Sequence, residues 1–171
     1  MSTRSLAVGA AIVVFFAALT SAGSAASSAP PYDEQFLKTS VQGDIFEIQG
    51  GKLAQKRSHS PKVTTLAKRL IKDHSKSLKD AKDVAQKLGV QLELQPMPSM
   101  QWELKAVASM SGKKFDHWYS TLEVYDHQQD IRETEDEIAN GQNAEIQKLA
   151  KQDLPVLQTH LKLARQAVAA R

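Results

Sequence analysis

A stretch of regular helical periodicity between Ser60 and Gly89 constrains the fold of this chain more than any other feature of its sequence. The spacing places apolar residues on one continuous face of an α-helix, which other parts of the chain must cover. Ser60 is a suitable N-cap, Pro61 suits the first helical position, and Gly89 suits the C-terminal stop. At about 1.5 Å per residue the helix is about 42 Å long, which favours a bundle of long helices. The face consists of Val63, Leu66, Ala67, Leu70, Ile71, His74, Leu78, Ala81, Ala85 and Leu88.

Three further segments are predicted to be long helices. The first covers residues 33–57 with Asp33 as its cap, the third covers about 115–140, and the fourth covers about 143–169. Pro155 lies inside the fourth helix and should kink it or weaken one turn. The residues predicted to face inward are Leu37, Val41, Ile45 and Ile48 in the first helix, Val124, His127, Ile131 and Ile138 in the third, and Ile146, Leu149, Leu157, His160, Leu161, Ala164 and Val168 in the fourth.

A long connection over residues 89–114 separates the second and third helices. Pro96 and Pro98 interrupt it, and residues 101–110 are predicted to form a short helix. At about 3.3 Å per extended residue, a connection of this length can run back along the whole second helix, which is about 42 Å long. We therefore predict an all-α, ferritin-like four-helix bundle over residues 33–169, with a short helix in the connection between helices two and three.

The N-terminal segment has the pattern of a secretory signal peptide over residues 1–26. A basic N-terminus precedes an apolar run over residues 6–19, and small residues follow, with cleavage expected after Ala25 or Ala26. The alternative is an uncleaved anchor, but spanning a bilayer takes about 20 apolar residues. We expect a bacterial periplasmic or secreted protein without a stable membrane anchor after cleavage, and a flexible spacer over residues 27–32.

Charge is unevenly distributed between two of the predicted helices. Residues 61–88 hold eight basic and three acidic side chains, a net charge of +5, whereas residues 115–140 hold one basic and eight acidic side chains, a net charge of −7. This pattern indicates helix faces that attract each other across the bundle. The alternative is a bipolar surface for self-association or for docking to an envelope component. The formal net charge of +3 and the lack of interleaved aromatic residues argue against nucleic-acid binding.

Four polar residues fall near the middle of the four predicted helices: Glu47, His74, His127 and His160. Their depths are about 15, 20, 18 and 25 Å along their helices, so the side chains can meet within about two turns. Imidazole and carboxylate groups together suit zinc, iron or copper. Glu123 lies four residues before His127 on the same face and is a weaker candidate ligand. The alternative is a hydrogen-bonded polar layer that fixes the register of the helices.

Other residues near this layer are assigned supporting or unrelated roles. Asp73 and Asp126 directly precede histidines, so they point about 100° away and should support the site or face solvent. His59 is expected in a loop and His117 in solvent. The methionines of the connection and its tryptophan are expected to pack as a lid over the bundle, with copper ligation as the alternative. These residues are Met97, Met100, Met110 and Trp102.

Several short motifs follow the apolar N-terminal segment in order: Glu47 with Lys52-Leu53-Ala54, Lys72-Asp73-His74, Phe115-Asp116, Asp126-His127, and Leu154-Pro155 with His160-Leu161. Over residues 33–168 their order and spacing resemble a family of secreted bacterial proteins catalogued as a domain of unknown function. Members of that family are ferritin-like helical proteins often labelled as outer-membrane or periplasmic. The resemblance implies a ferritin-like fold and an envelope location, and it implies no established activity.

The chain departs from true ferritins at the metal site. Di-iron centres of that fold use a Glu-x-x-His pair from each of two helices. Ile71 and Leu157 stand three residues before His74 and His160, so both carboxylates are missing. This argues against a ferroxidase centre.

No catalytic motif of a hydrolase or a phosphate-binding enzyme is present in the sequence. The chain also has no cysteine, which excludes a disulfide scaffold, a thiolate zinc site and a cysteine nucleophile. Our leading functional prediction is a non-catalytic envelope protein that binds a partner or a small ligand. The alternative is a metal-binding protein with a His/Glu site inside the bundle, acting in redox chemistry or storage.

Overall fold

The computed structural model describes residues 27–169, in which it contains five α-helices and no β-strand. The predicted signal peptide lies outside these residues. The helices form a bundle, as predicted, and none of those in the described range is long and apolar enough to cross a bilayer. The helices are α1 (Pro31–Arg57), α2 (Pro61–Leu88), α3 (Pro98–Ala108), α4 (Gly112–Asn140) and α5 (Ala144–Val168).

The order of the helices in the bundle differs from their order in the chain. The main contacts join α1 to α2, α4 to α5, α2 to α5 and α1 to α4, while the short α3 touches α1 and α4. Asp33 at the start of α1 accepts hydrogen bonds from the backbone N–H groups of Gln142 and Asn143, just after α4 ends, so α1 and α4 are antiparallel. Ser28 donates its N–H to the carbonyl of Leu88 at the end of α2, so α1 and α2 are antiparallel too. Since α2 and α4 then run in the same direction, the connection between them must return along the bundle.

The ends of α2 lie at the predicted capping residues, and α5 begins close to its predicted start. Ser60 caps α2, and Gly89 ends it in the left-handed conformation with φ of 68°. Asn143 caps α5 by accepting hydrogen bonds from the N–H groups of Glu145 and Ile146. Capping residues therefore predict the boundaries of α2 correctly. Helix α5 continues as one helix through Pro155.

Three helix starts lie before the predicted ones. α1 begins at Pro31, so the prediction that Asp33 caps it is wrong, and the Asp33 carboxylate instead satisfies backbone donors beyond α4. α3 begins with Pro98 in its first turn, where proline is tolerated because that N–H has no helical partner. α4 begins at Gly112, which adopts a φ of 57°. Pro98 and Gly112, which the sequence predicts to be interruptions of the chain, therefore lie in the first turns of helices.

Residues 27–32, predicted as a flexible spacer, contact the bundle. Ser28 is hydrogen-bonded to the end of α2, Ala29 is buried against apolar residues of α1 and α2, and Tyr32 donates its hydroxyl to Asp136 of α4.

Apolar side chains fill the two ends of the bundle, and polar side chains fill its middle. One apolar cluster includes Ala54, Val63, Leu66, Leu70, Phe115, Tyr119 and Ala164. The other includes Leu37, Val41, Ala81, Val84, Ile146 and Leu149. The buried polar residues include Asp44, Glu47, His74, Glu123, His127 and His160.

The inward face of α4 is more polar than predicted. Val124, Ile131 and Ile138 are only half-buried. The buried polar side chains of α4 are Ser120, Glu123, His127, Thr134 and Glu137. In α1 the predicted Ile45 and Ile48 are likewise half-buried, while Asp44 and Glu47 point inward. Apolar periodicity fails here because these helices bury polar groups that contact one another.

Candidate metal centre

Three helices bring His74, His127 and His160 to one point inside the bundle. His74 lies on α2, His127 on α4 and His160 on α5. All three are buried, and one ring nitrogen from each lies within 4.8 Å of those of the other two. The ring centroids are separated by 5.1, 5.2 and 5.8 Å. The predicted convergence of the three histidines is therefore present.

Each ring is oriented by a hydrogen bond on its outer nitrogen. His74 Nδ1 lies 2.8 Å from Asp44 Oδ1, and His127 Nδ1 donates to the backbone carbonyl of Glu123 at 2.9 Å. His160 Nε2 lies 3.0 Å from Asp73 Oδ2, a carboxylate that also contacts Arg69. When the outer nitrogens carry the hydrogens, the opposite nitrogens carry lone pairs.

The inner nitrogens lack ordinary hydrogen-bond partners. His74 Nε2 is buried and makes no hydrogen bond among the described residues. His127 Nε2 lies 3.2 Å from His160 Nδ1, so with both outer nitrogens donating these two lone pairs face each other. Facing lone pairs are stabilised by a proton or a cation between them. The triad (His74, His127 and His160) is thus arranged to receive a positive charge.

The protonation of the rings follows from burial and from their partners. Burial, with nearby His74 and His160, lowers the pKa of His127 well below its usual range. Burial and His74 also lower the pKa of His160 to about 4, although its hydrogen bond to Asp73 acts in the opposite direction. Burial opposes charge on His74 as well, but the hydrogen bond and negative charge of Asp44 leave its pKa raised. His127 and His160 are therefore neutral near pH 7, the form that binds metals.

The two predicted glutamates lie on the other side of His127. Glu47 Oε1 and Glu123 Oε2 are 3.9 and 3.7 Å from His127 Nδ1, the nitrogen that faces away from the triad. Glu47, Asp126 and His127 form a second group of ligand atoms within 4.8 Å of one another, and neither glutamate joins His74. The predicted four-residue site is therefore divided into two adjacent groups in the described structure.

These carboxyl groups are strongly perturbed by their surroundings. Burial and the neighbouring Glu123 and Asp126 raise the pKa of Glu47 well above its usual range. Burial is the main cause that raises the pKa of Glu123 to about 7. The cluster therefore resists carrying several negative charges at once.

A cavity of about 440 Å³ leads to the triad. His74 and His160 line it, together with Met97, Met100 and a large number of acidic side chains. Burial and Asp44 raise the pKa of one of these, Asp153, to about 6. The acidic lining favours cations over anions. It consists of Asp44, Asp73, Glu103, Asp126, Asp130, Glu133 and Asp153.

Sequence reasoning missed Asp44 and named no partner for Asp73. Asp44 lies three residues before Glu47, a helical spacing that could have indicated that both side chains face inward. Asp73 supports a histidine as predicted, but that histidine is His160 of another helix. His59 and His117 are exposed, as predicted.

The connection contributes only part of the predicted lid. Met97 and Met100 line the cavity, whereas Met110 packs against the apolar cluster at the other end of α3, and Trp102 is 70% exposed.

The sequence matches the model of a family described as a domain of unknown function, DUF4142, over residues 18–167. The chain belongs to this family, which confirms the resemblance found from the sequence. No curated protein sequence matches the chain.

Several solved structures are similar to this fold at low sequence identity. A DUF305 fragment from Deinococcus radiodurans superposes with a TM-score of 0.74 at 14% identity, covering 84% of this chain and 99% of that one. CopM in the Cu(I)-bound form superposes with a TM-score of 0.66 at 20% identity, covering 78% and 93%. CopM in the Cu(II)-bound form has the same TM-score at 18% identity, covering 80% and 95%. These likenesses establish a shared helical fold.

Proposed function

We propose that this protein binds a transition metal ion, copper in the first instance, through His74, His127 and His160. The observation that carries the proposal is the convergence of three buried imidazoles whose outer nitrogens are already hydrogen-bonded. Imidazoles held in this way are oriented for a metal before it arrives. Asp44 and Asp73 are the positioning residues, because each fixes the rotation of one ring.

The spacing of the nitrogens fits a metal ion. Metal–imidazole bonds are about 2.0–2.1 Å long, so two nitrogens on one tetrahedral ion are about 3.3 Å apart. His127 Nε2 and His160 Nδ1 are 3.2 Å apart. The third nitrogen lies within 4.8 Å of the other two, so the three imidazoles would have to draw closer together around the ion.

The composition of the cavity favours copper among the metals that imidazole accepts. Imidazole suits zinc, copper and iron, while thioether groups select Cu(I). Met97 and Met100 line the same cavity as His74 and His160. The similarity in fold to CopM, crystallised in Cu(I)- and Cu(II)-bound forms, supports the same choice.

The proposal includes a location and a class of activity. We propose a ferritin-like bundle in the bacterial envelope, exported by residues 1–26, which stores or carries the metal without a ferroxidase reaction. The parallel course of α2 and α4 supports the ferritin-like arrangement, since it requires the long crossover of that fold. Ile71 and Leu157, in place of the two ferritin carboxylates, support a role without ferroxidase chemistry.

The proposal is tested by measuring the metal content of untagged protein recovered from the periplasm. We expect about one equivalent of copper per chain, and its loss in the triple variant His74→Ala, His127→Ala, His160→Ala. The control is the double variant His59→Ala, His117→Ala, which removes two exposed imidazoles and should leave the copper content unchanged. A folded wild-type protein that takes up no Cu(I), Cu(II) or Zn²⁺ in vitro would overturn the proposal.

A partner-binding role is the second candidate, supported by large exposed aromatic side chains. Trp102, Trp118 and Tyr125 are 70%, 47% and 68% exposed, and the last two share one face of α4. We propose an envelope component or a second copy of this chain as the partner. The metal-free wild-type protein should retain that partner, and the double variant Trp118→Ser, Tyr125→Ser should release it. Failure of the metal-free wild-type protein to retain a specific partner would contradict this role, and equal retention by both proteins would contradict docking through Trp118 and Tyr125.

A further inference from the structure

A second group of buried polar side chains lies beyond the triad, between α1 and α4. Glu47 is fully buried, and neither of its carboxylate oxygens makes a hydrogen bond among the described residues. Glu123 Oε2, Asp126 Oδ2 and the hydroxyl of Tyr119 are also buried without a partner. Gly50 of α1 lies beside the same cluster, since atoms of Tyr119 and Glu123 lie 3.5 and 3.7 Å from where a Cβ at this position would stand.

This cluster has the ligands of a metal site but lacks a lysine or an arginine to balance its charge. Within the described residues, neither Glu47 nor Glu123 forms a salt bridge with a lysine or an arginine. The basic groups near the cluster are the imidazoles of His74 and His127, and His127 Nδ1 already donates to the carbonyl of Glu123. Burying carboxylates without a cation or a hydrogen-bond donor is costly, so the cluster requires either bound protons or a cation.

We propose that Glu47, Glu123 and Asp126 form a second cation site, separate from the triad, that binds a hard divalent ion such as Mn²⁺. Carboxylate oxygens are hard ligands that suit Mn²⁺ better than they suit soft ions such as Cu(I). An oxygen of Glu47 and an oxygen of Asp126 lie within 4.8 Å of each other, close to the largest separation of about 4.4 Å that two ligands with bonds of about 2.2 Å have on one ion. Glu123 Oε2 is near the same place, since it lies 3.7 Å from His127 Nδ1 and Glu47 Oε1 lies 3.9 Å from that atom. The unpartnered hydroxyl of Tyr119 faces the same cluster and adds a neutral oxygen.

The site is connected to solvent through one of its own ligands. Asp126 lines the acidic cavity, while its Oδ2 atom is buried and makes no hydrogen bond. A cation that enters the cavity therefore meets Asp126 on its way to Glu47. The triad and the carboxylate cluster then form two neighbouring sites of different chemistry, one rich in nitrogen and one in oxygen, on opposite sides of the His127 ring.

The test measures Mn²⁺ binding to the metal-free protein. The readout is the decrease in the electron paramagnetic resonance signal of hydrated Mn²⁺. We expect about one bound equivalent in the wild-type protein. Glu47→Gln and Asp126→Asn should each weaken binding by about tenfold or more. Glu133→Gln is the matched control, because it makes the same charge change on α4 in a residue that lines the cavity but lies outside the cluster. It should leave Mn²⁺ binding unchanged.

A second variant separates this proposal from the triad. The double variant His74→Ala, His160→Ala should lose copper but keep Mn²⁺, while Glu47→Gln should keep copper and lose Mn²⁺. Both substitutions in the cluster replace a carboxylate by an amide of the same shape, and circular dichroism checks that the variants are folded. The proposal is overturned if folded wild-type protein binds no Mn²⁺ at millimolar concentration, or if Glu47→Gln and Asp126→Asn bind it as well as the wild type.

Discussion

Two adjacent glycines in α1 are expected to respond in opposite ways to the same substitution. A Cβ at position 51 would lie 2.8 Å from Ile71 Cγ1 and 3.0 Å from the carbonyl oxygen of Ala67, both on α2. A Cβ at position 50 would meet nothing closer than 3.5 Å. Gly51→Ala therefore forces α1 and α2 apart, because the backbone of Ala67 cannot rotate away, whereas Gly50→Ala fits.

The comparison of the two variants isolates this contact. Alanine is favoured over glycine inside a helix by about 0.5–1 kcal/mol, and this gain is common to both positions. Overpacking costs about 1–3 kcal/mol at position 51 only. We expect Gly50→Ala to equal or exceed the wild type in stability, and Gly51→Ala to be about 2 kcal/mol less stable than Gly50→Ala.

Thermal and urea denaturation of the metal-free proteins measure this difference. A loss of about 2 kcal/mol lowers Tm by roughly 4–8 °C in a domain of this size. Far-UV circular dichroism below the transition should show the same helix content in all three proteins. Equal stability of the two variants, or a more stable Gly51→Ala, would refute the close packing of α1 on α2 as the reason for glycine at this position.

Two further predictions concern one end of the bundle. Burial and the negative charge of Asp33 raise the pKa of Glu137 to about 7, so between about pH 4.5 and 7 the native state holds a proton that the unfolded state has released. The free energy of unfolding should therefore fall as pH rises through this range, and Glu137→Gln should gain stability over the wild type between pH 5 and pH 8 in urea titrations. Exposed Glu135→Gln should show no such gain, and a gain of equal size there would contradict the assignment. Asn143→Ala should cost about 1 kcal/mol through loss of the α5 cap, whereas Ser111→Ala, at an N-cap whose side chain makes no capping bond, should cost less than half as much. Equal costs in thermal denaturation would count against the capping geometry.

The helices that carry strong local signals could be predicted from the sequence. In α2 the apolar face, the Ser60 cap and the Gly89 stop all indicate the same helix, and the structure places its ends at Pro61 and Leu88. The predicted start of the fourth helix at about residue 143 also agrees with the structure, in which Asn143 is the N-cap of α5. Local propensity and side-chain capping decide these boundaries, and both are visible in the sequence.

The inward faces of α1 and α4 could not be predicted from apolar periodicity. Glu123 and Glu137 are buried, while Ile131 is half-buried, because contacts with other helices decide which face points inward. Such contacts join residues far apart in the chain, as Asp44 and His74 do. The depth of each histidine along its helix predicts that the three meet, but their hydrogen-bond partners on neighbouring helices require the structure.

The triad draws on both halves of the chain. His74 belongs to the hairpin of α1 and α2, whereas His127 and His160 belong to the hairpin of α4 and α5. The chain has no cysteine, so no disulfide can join these halves. A metal ion held by the three imidazoles would link the two hairpins in the folded protein and would stabilise the folded state, because the three nitrogens converge only there. Neither hairpin alone can supply all three nitrogens, so metal binding would stabilise the docked arrangement of the two hairpins.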